Sequence, residues 1–237
     1  MKIDSDQWQR TVIEGAAALA IEVTGDRARA MGAHARLLLE WNRTTNLTAI
    51  TDPVEVAVKH YVDSLAAACW IGDAARILDA GSGGGFPGIP LKILRPDLSI
   101  TLVDSVRKKV SFLKHAIRTV GLEGIEAVHG RLEALGESPR YRGAFDMVVC
   151  RAFSSLETFA ERTADFLAPG GSLLALKGPQ TDHPLEAAED GSTIRLGGRS
   201  FSIHVHHYQL PILNLQRRAV MLTALKEEGR GRRDDDC

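Results

Sequence analysis

Residues 78–88 read LDAGSGGGFPG, a glycine-rich corner between the apolar run ILDAG (77–81) and an apolar, helix-compatible stretch. Such a corner restricts the fold strongly. Its glycines turn the chain sharply and let the backbone approach a ligand, and in open α/β sheets ligands sit outside the carboxyl ends of the strands. The runs SITLVDS (99–105), IEAVHG (125–130), FDMVVCRAF (145–153) and GSLLALKG (171–178) read as further strands buried on both faces. Between the second and third strands, Val106, Val110, Leu113, Ile117 and Val120 step by 4, 3, 4 and 3, an amphipathic helix ended by Gly121. Strand–helix alternation predicts an α/β fold with right-handed crossovers and a doubly wound, mostly parallel sheet. FSIHVHHYQL (201–210) and RAVMLTAL (218–225) lie too close around Pro211 for a helical crossover, so they predict an antiparallel C-terminal edge hairpin.

The first 70 residues hold all three tryptophans, Trp8, Trp41 and Trp70. That asymmetry predicts an N-terminal helical extension over 1–70, packed as its own unit against an α/β domain over 71–228. Ala30, Leu37, Leu38 and Trp41 share one helical face, Thr24–Gly25–Asp26 separates this helix from the preceding one, and NRTTNLT (42–48) reads as a polar loop. A new helix opens at Asp52–Pro53, with Glu55 three positions after Asp52. GRGRRDDDC (229–237) reads as a frayed, disordered tail.

With 44% hydrophobic and 25% charged residues, the chain is neither a wholly disordered nor a disulfide-stapled sequence. Lys and Arg number 29 against 30 Asp and Glu, so a nucleic-acid partner must meet a local basic patch. Cys69, Cys150 and Cys237 have neither disulfide nor metal spacing, no apolar run suits a membrane span, and Asp4 and Asp6 stand where a secretory signal is basic. The expectation is a cytoplasmic protein.

Gly83, Gly85 and Gly88 match the dinucleotide G-x-G-x-x-G spacing, but Asp79, two residues before Gly81, repels a pyrophosphate and welcomes an ammonium. A ligand carrying an ammonium, a carboxylate and a ribose fits better, and S-adenosyl-L-methionine has all three. Asp104, 23 residues after Gly81, is placed to accept the ribose hydroxyls, with Ser105 available to cap the following helix. Leu132 and Glu133, past the third strand, stand where such sheets contact an adenine ring.

The segments NLTAI (46–50), KHYVDSL (59–65), LDAGSGGGFPGIPLKI (78–93), LVDSVRKKVSFL (102–113), GRLEAL (130–135), VVCRAFSSL (148–156) and LALKG (174–178) resemble the bacterial small-subunit ribosomal RNA methyltransferase G family, also called glucose-inhibited division protein B. The resemblance runs from about residue 37 to 178. It implies a Rossmann-like class I methyltransferase that binds S-adenosylmethionine through the 71–228 domain and methylates N7 of one guanine in the decoding region of 16S ribosomal RNA. It carries the family's cofactor contacts to Gly81, Phe86, Leu132, Glu133 and Arg151. Guanine N7 has a free lone pair at neutral pH, so the enzyme's task is alignment and exclusion of water. Arg151, at the end of the fourth strand, is placed to bind the cofactor carboxylate or to position the base. His60, Asp63 and Ser64, spaced i, i+3, i+4, either roof the cofactor or form a polar cluster between the N-terminal helices and the sheet. Lys177, Arg217 and Arg218 are candidate phosphate contacts. The basic run Arg107, Lys108, Lys109, Lys114 and Arg118 reads as a solvated helix face. His204, His206 and His207 alternate as strand residues do, and no metal is expected. Cys150 reads as a small core residue. The implied partner is 16S ribosomal RNA or the small ribosomal subunit. A methyltransferase acting on a protein or small molecule, and a cofactor-binding regulator without turnover, are the competing readings.

Overall fold

A computed structural model describes residues 1–151, 153, 155–178, 191–196 and 198–225. The chain opens with α1 (Asp6–Ala17), α2 (Gly25–Thr45), α3 (Pro53–Glu55), a π-helical segment (Val56–Val62), α4 (Asp63–Ala66) and α5 (Ala68–Ile71). There follow β1 (Arg76–Ala80), α6 (Gly88–Leu94), β2 (Ser99–Asp104), α7 (Arg107–Val120), β3 (Ile125–His129), α8 (Leu132–Gly136), β4 (Phe145–Cys150), α9 (Leu156–Thr163) and β5 (Leu167–Lys177). The described residues end with β6 (Thr193–Leu196), β7 (Arg199–Leu210) and β8 (Leu215–Ala224).

The strands form one sheet in the order β3-β2-β1-β4-β5-β8-β7-β6. β1 pairs in parallel with both β2 and β4, so the strand order reverses at β1 and the glycine-rich corner leaves the sheet there. β8 runs antiparallel to β5 and to β7. The predicted doubly wound sheet and hairpin are present, with one difference at the edge. β6 pairs outside β7 and takes the edge position from the hairpin. Its four residues lie in a stretch with no apolar run long enough to announce a strand.

Period-2 alternation divides the core between two faces. Ile77, Ile100, Leu102, Met147, Val149, Leu174 and Leu176 point to one side and pack with the N-terminal helices, α6 and α7. Leu78, Val103, Val148, Cys150, Leu173 and Ala175 point to the other, against α9 and Phe166. The N-terminal helices therefore share a continuous core with one sheet face. Trp8 anchors them: its indole donates to Pro53 O at 3.0 Å and meets Tyr61 edge-on at 5.2 Å.

Several details differ from the sequence reading. β3 is a sheet edge and only Ala127 on it is buried, so it is not covered on both faces. β4 ends at Cys150, before Arg151 and Phe153. Residues 42–45 of the predicted loop are helical. Asn42 Oδ1 accepts the Leu47 and Thr48 N–H groups, and Asn46 ends α2 in the left-handed region at φ 48°. At the expected helix start, Asp52 Oδ1 accepts from Val54 and Glu55.

Residues 179–190 and the 229–237 tail lie outside the described residues. Among the described residues no helix is long and apolar enough to cross a membrane. No group of three or more His, Cys, Asp or Glu among them, His204, His206 and His207 included, is gathered to hold a metal.

Candidate active site

The carboxyl ends of β1, β2 and β3 open into a cavity of about 500 Å³ lined by Gly81, Asp104, Ser105, Lys109, Leu132, Glu133 and neighbouring residues. Gly81 has φ +74°, a conformation that a side chain strains, and nothing lies within 4 Å of where its Cβ would stand. Its backbone therefore faces open space. Gly88, at the start of α6, is glycine for another reason, because a Cβ there drives into Leu102 and into Asp79 Oδ2.

Asp79 is fully buried. Its Oδ2 accepts the Gly88 N–H at 2.8 Å, whereas Oδ1 has no hydrogen-bond partner. Burial pushes its carboxyl up to about 7, against the pull of the Gly88 N–H and Ser82. Asp104 Oδ2 accepts the Gly83 N–H at 3.0 Å and Oδ1 the Val106 N–H at 2.8 Å. One carboxylate thus fixes the glycine corner to the entry of α7. The expected cap from Ser105 is not formed: the N-cap position falls one residue later, on Val106, and α7 has no side-chain cap.

Arg151 leaves the end of β4 and reaches back to the N-terminal helices. Its guanidinium donates to Lys59 O at 2.6 Å, His60 O at 3.2 Å and Ser64 Oγ at 3.0 Å, and lies 3.5 Å from Asp63 Oδ2. The π-helical segment and α4 present these acceptors together. The expected cluster of His60, Asp63 and Ser64 exists and is organised by Arg151. Asp63, 4% exposed, also accepts from Tyr208 at 2.8 Å and from Arg217 at 3.4 Å, tying β7 and β8 to α4. Arg217 is thereby committed to an internal ion pair. Lys177 is likewise buried and donates to Phe153 O at 2.6 Å. Arg218 is half-buried and stands across the strand from Lys177.

Phe86 stacks on His60 at 4.5 Å and lies 5.7 Å from the Arg151 guanidinium carbon. His60 Nε2 and Thr48 Oγ1 are 2.8 Å apart, and that oxygen already accepts the Ile50 N–H. His34, unnoticed among the candidates, is wholly buried against Phe86 and Phe112, with Nδ1 2.8 Å from the Tyr61 hydroxyl. Its clue was position, since it lies on the same apolar face as Leu37, Leu38 and Trp41.

Burial lowers His34 to about 3, and burial with the nearby Arg151 charge lowers His60 to about 3. Unfolded histidine titrates near 6.5. The stability these neutral rings support is present above that pH and is lost as pH falls toward 3, because only the unfolded chain takes up the protons. Asp79 acts in the opposite sense. Its raised carboxyl favours the fold fully below 3.8 and loses that contribution as pH rises through about 7. In an NMR titration the ring C–H signals of His34 and His60 should keep their neutral positions down to pH 5. A midpoint near 6.5 for either would contradict their burial.

Cys150, immediately before Arg151, is buried, and burial pushes its thiol well above the ordinary range. A thiol held protonated is a poor nucleophile. Cys150→Ser should keep most activity and cost about 1–3 kcal/mol for burying a hydroxyl. A folded, inactive Cys150→Ser protein, by activity assay and thermal melt together, would show that the thiol reacts.

A family model described as rRNA small subunit methyltransferase G matches residues 27–213. A ribosomal RNA small subunit methyltransferase G of Desulforamulus reducens is 37% identical over 92% of this chain and 90% of its own length. One from Streptococcus pyogenes serotype M12 is 40% identical over 81% of each chain, and one from Geobacter sp. (strain M21) is 43% identical over 75% of this chain and 81% of its own. Among solved structures, an O-methyltransferase from Bacillus cereus in complex with SAH aligns with TM-score 0.53 at 16% identity, over 80% of this chain and 90% of that one. A SAM-dependent methyltransferase from Aquifex aeolicus aligns with TM-score 0.52 at 13% identity, over 79% and 98%. These two likenesses concern the fold, which is that of the class I methyltransferases. The family match spans most of the chain, the glycine corner, the cavity and Arg151 together, and the chain belongs to the rRNA small subunit methyltransferase G family.

Proposed function

We propose that this chain transfers the methyl group of S-adenosyl-L-methionine to N7 of a specific guanine in the decoding region of 16S ribosomal RNA, acting in the cytoplasm on the RNA or the small ribosomal subunit. The carrying observation is that relatives named ribosomal RNA small subunit methyltransferase G match it along nearly its whole length. The site residues fit the cofactor. The unpartnered, buried Asp79 Oδ1 suits an ammonium, and the open space over Gly81 suits a close ligand. Asp104 and Glu133 offer carboxylate acceptors at a cavity wall that Leu132 makes partly apolar. When bound, the cofactor supplies an electrophilic methyl group.

The chain's own part is positional. The glycine corner and Asp104 hold the donor side, while Arg151, Phe86 and His60 shape the acceptor side and exclude water. No proton must leave guanine N7 before attack, so no general base is required. Residues 1–70 serve as the helical extension packed on one face of the sheet of the 71–228 cofactor domain.

The test is methyl incorporation from labelled cofactor into purified small subunits, compared with total protein and metabolites. Label confined to the RNA of the subunit is the expected result. Label in protein or a metabolite would move the substrate, and no label at all would make the chain a cofactor-binding regulator.

A further inference from the structure

The whole chain carries a formal charge of −1, but α7 does not share that balance. Its sequence, RKKVSFLKHAIRTV, holds Arg107, Lys108, Lys109, Lys114 and Arg118 and no acidic residue. None of the five cations forms an ion pair among the described residues. Arg107, Ser111, Lys114 and Arg118 stand at offsets 0, 4, 7 and 11, one exposed stripe about 16 Å long. The opposite face, Val110, Phe112, Leu113 and Ala116, is buried in the core and holds the helix rigidly.

The placement of the charges conflicts with the helix itself. Three cations occupy the first turn, at the positive end of the helix dipole, where anions are favoured. The N-cap, Val106, is exposed and supplies no capping side chain. The nearest preceding acid, Asp104, directs both oxygens to backbone N–H groups. A helix that only faced solvent gains nothing from this arrangement, and local rules are broken where function requires it. Val106 and Lys109 line the cavity, so the N-terminal end of α7 stands at its mouth.

We infer that the exposed stripe Arg107, Lys114 and Arg118, with the exposed Lys108 beside its start, is a docking surface for the phosphate backbone of the RNA that carries the target guanine. The inference rests on the ribosomal RNA reading above. It accounts for how a chain without net positive charge gathers a polyanion next to its reaction site: one helix presents a run of cations with no acidic residue among them.

The test is the triple variant Lys108→Gln/Lys114→Gln/Arg118→Gln, none of whose positions lines the cavity. Methyl transfer to purified small subunits would be followed between about 50 and 200 mM salt, where phosphate contacts are strongly screened. Cofactor affinity would be measured by calorimetry and folding by circular dichroism. The expected result is a KM for subunits raised about tenfold or more, with kcat and cofactor affinity unchanged. The plot of log kcat/KM against log salt should become shallower by about 2, since each lost phosphate contact removes roughly 0.7. Lys114→Gln alone should show a smaller shift in the same direction and serves if the triple variant is unstable. Unchanged KM and salt slope in a folded variant would overturn the stripe while leaving the RNA reading intact. Failure of the unaltered chain to methylate subunits would overturn both.

Discussion

Arg151→Ala should lower turnover on small subunits by at least about 10²-fold while the chain stays folded. The guanidinium gathers Lys59 O, His60 O, Ser64 Oγ and Asp63 at one point, beside the Phe86 ring. Alanine removes all of these contacts at once. The π-helical segment then loses its fixed distance from β4, and displacement of a reaction partner by about 1 Å suffices for a 10²-fold loss. Stability should fall by only about 1–3 kcal/mol, because two carbonyls lose a partner and Asp63 keeps Tyr208 and Arg217. Arg151→Lys should not restore activity, since an ammonium cannot reproduce a planar fork over several acceptors. Single-turnover kinetics with a thermal melt checks both halves. Full activity in the alanine variant would remove Arg151 from the site.

Asp104→Asn should weaken cofactor binding by about 10²-fold or more. The carboxylate already serves two backbone N–H groups, each oxygen retaining a lone pair toward the cavity. Alanine would strip the glycine corner and the α7 entry of their acceptor together and confuse binding with folding. Asparagine keeps the shape and one acceptor, but its N–H₂ replaces one of the two oxygens that accept backbone N–H groups, so a thermal melt must accompany the binding measurement. Two charge-assisted bonds at about 1.5–3 kcal/mol each set the size of the expected loss. Calorimetric titration showing unchanged affinity in a folded variant would remove the ribose from Asp104.

The glycine corner, the strand succession and the hairpin were legible because each rests on local pattern: glycine spacing, apolar runs and a connection too short for a crossover. β6 was not legible, because a four-residue edge strand carries too little apolar signal. Arg151 was legible as a candidate from its position after β4, but its grip on the Lys59 and His60 carbonyls was not, since a π-helical widening leaves no spacing mark in a sequence. Arg217 shows the limit most plainly. An arginine pair before a strand reads as surface, and only the sheet's closure onto α4 brings it to Asp63, 154 residues away. Lys177 followed the same course, a lysine at a strand end whose ammonium is taken by Phe153 O.

The central claim is that this site methylates guanine at N7 and does so in one place. Small-subunit RNA treated with the purified chain and cofactor, then digested and analysed by mass spectrometry with position mapping, decides it. 7-Methylguanosine is expected at a single nucleotide of the decoding region, and is lost with Arg151→Ala. Methylation of another base, of another guanine atom, or at scattered positions would contradict it.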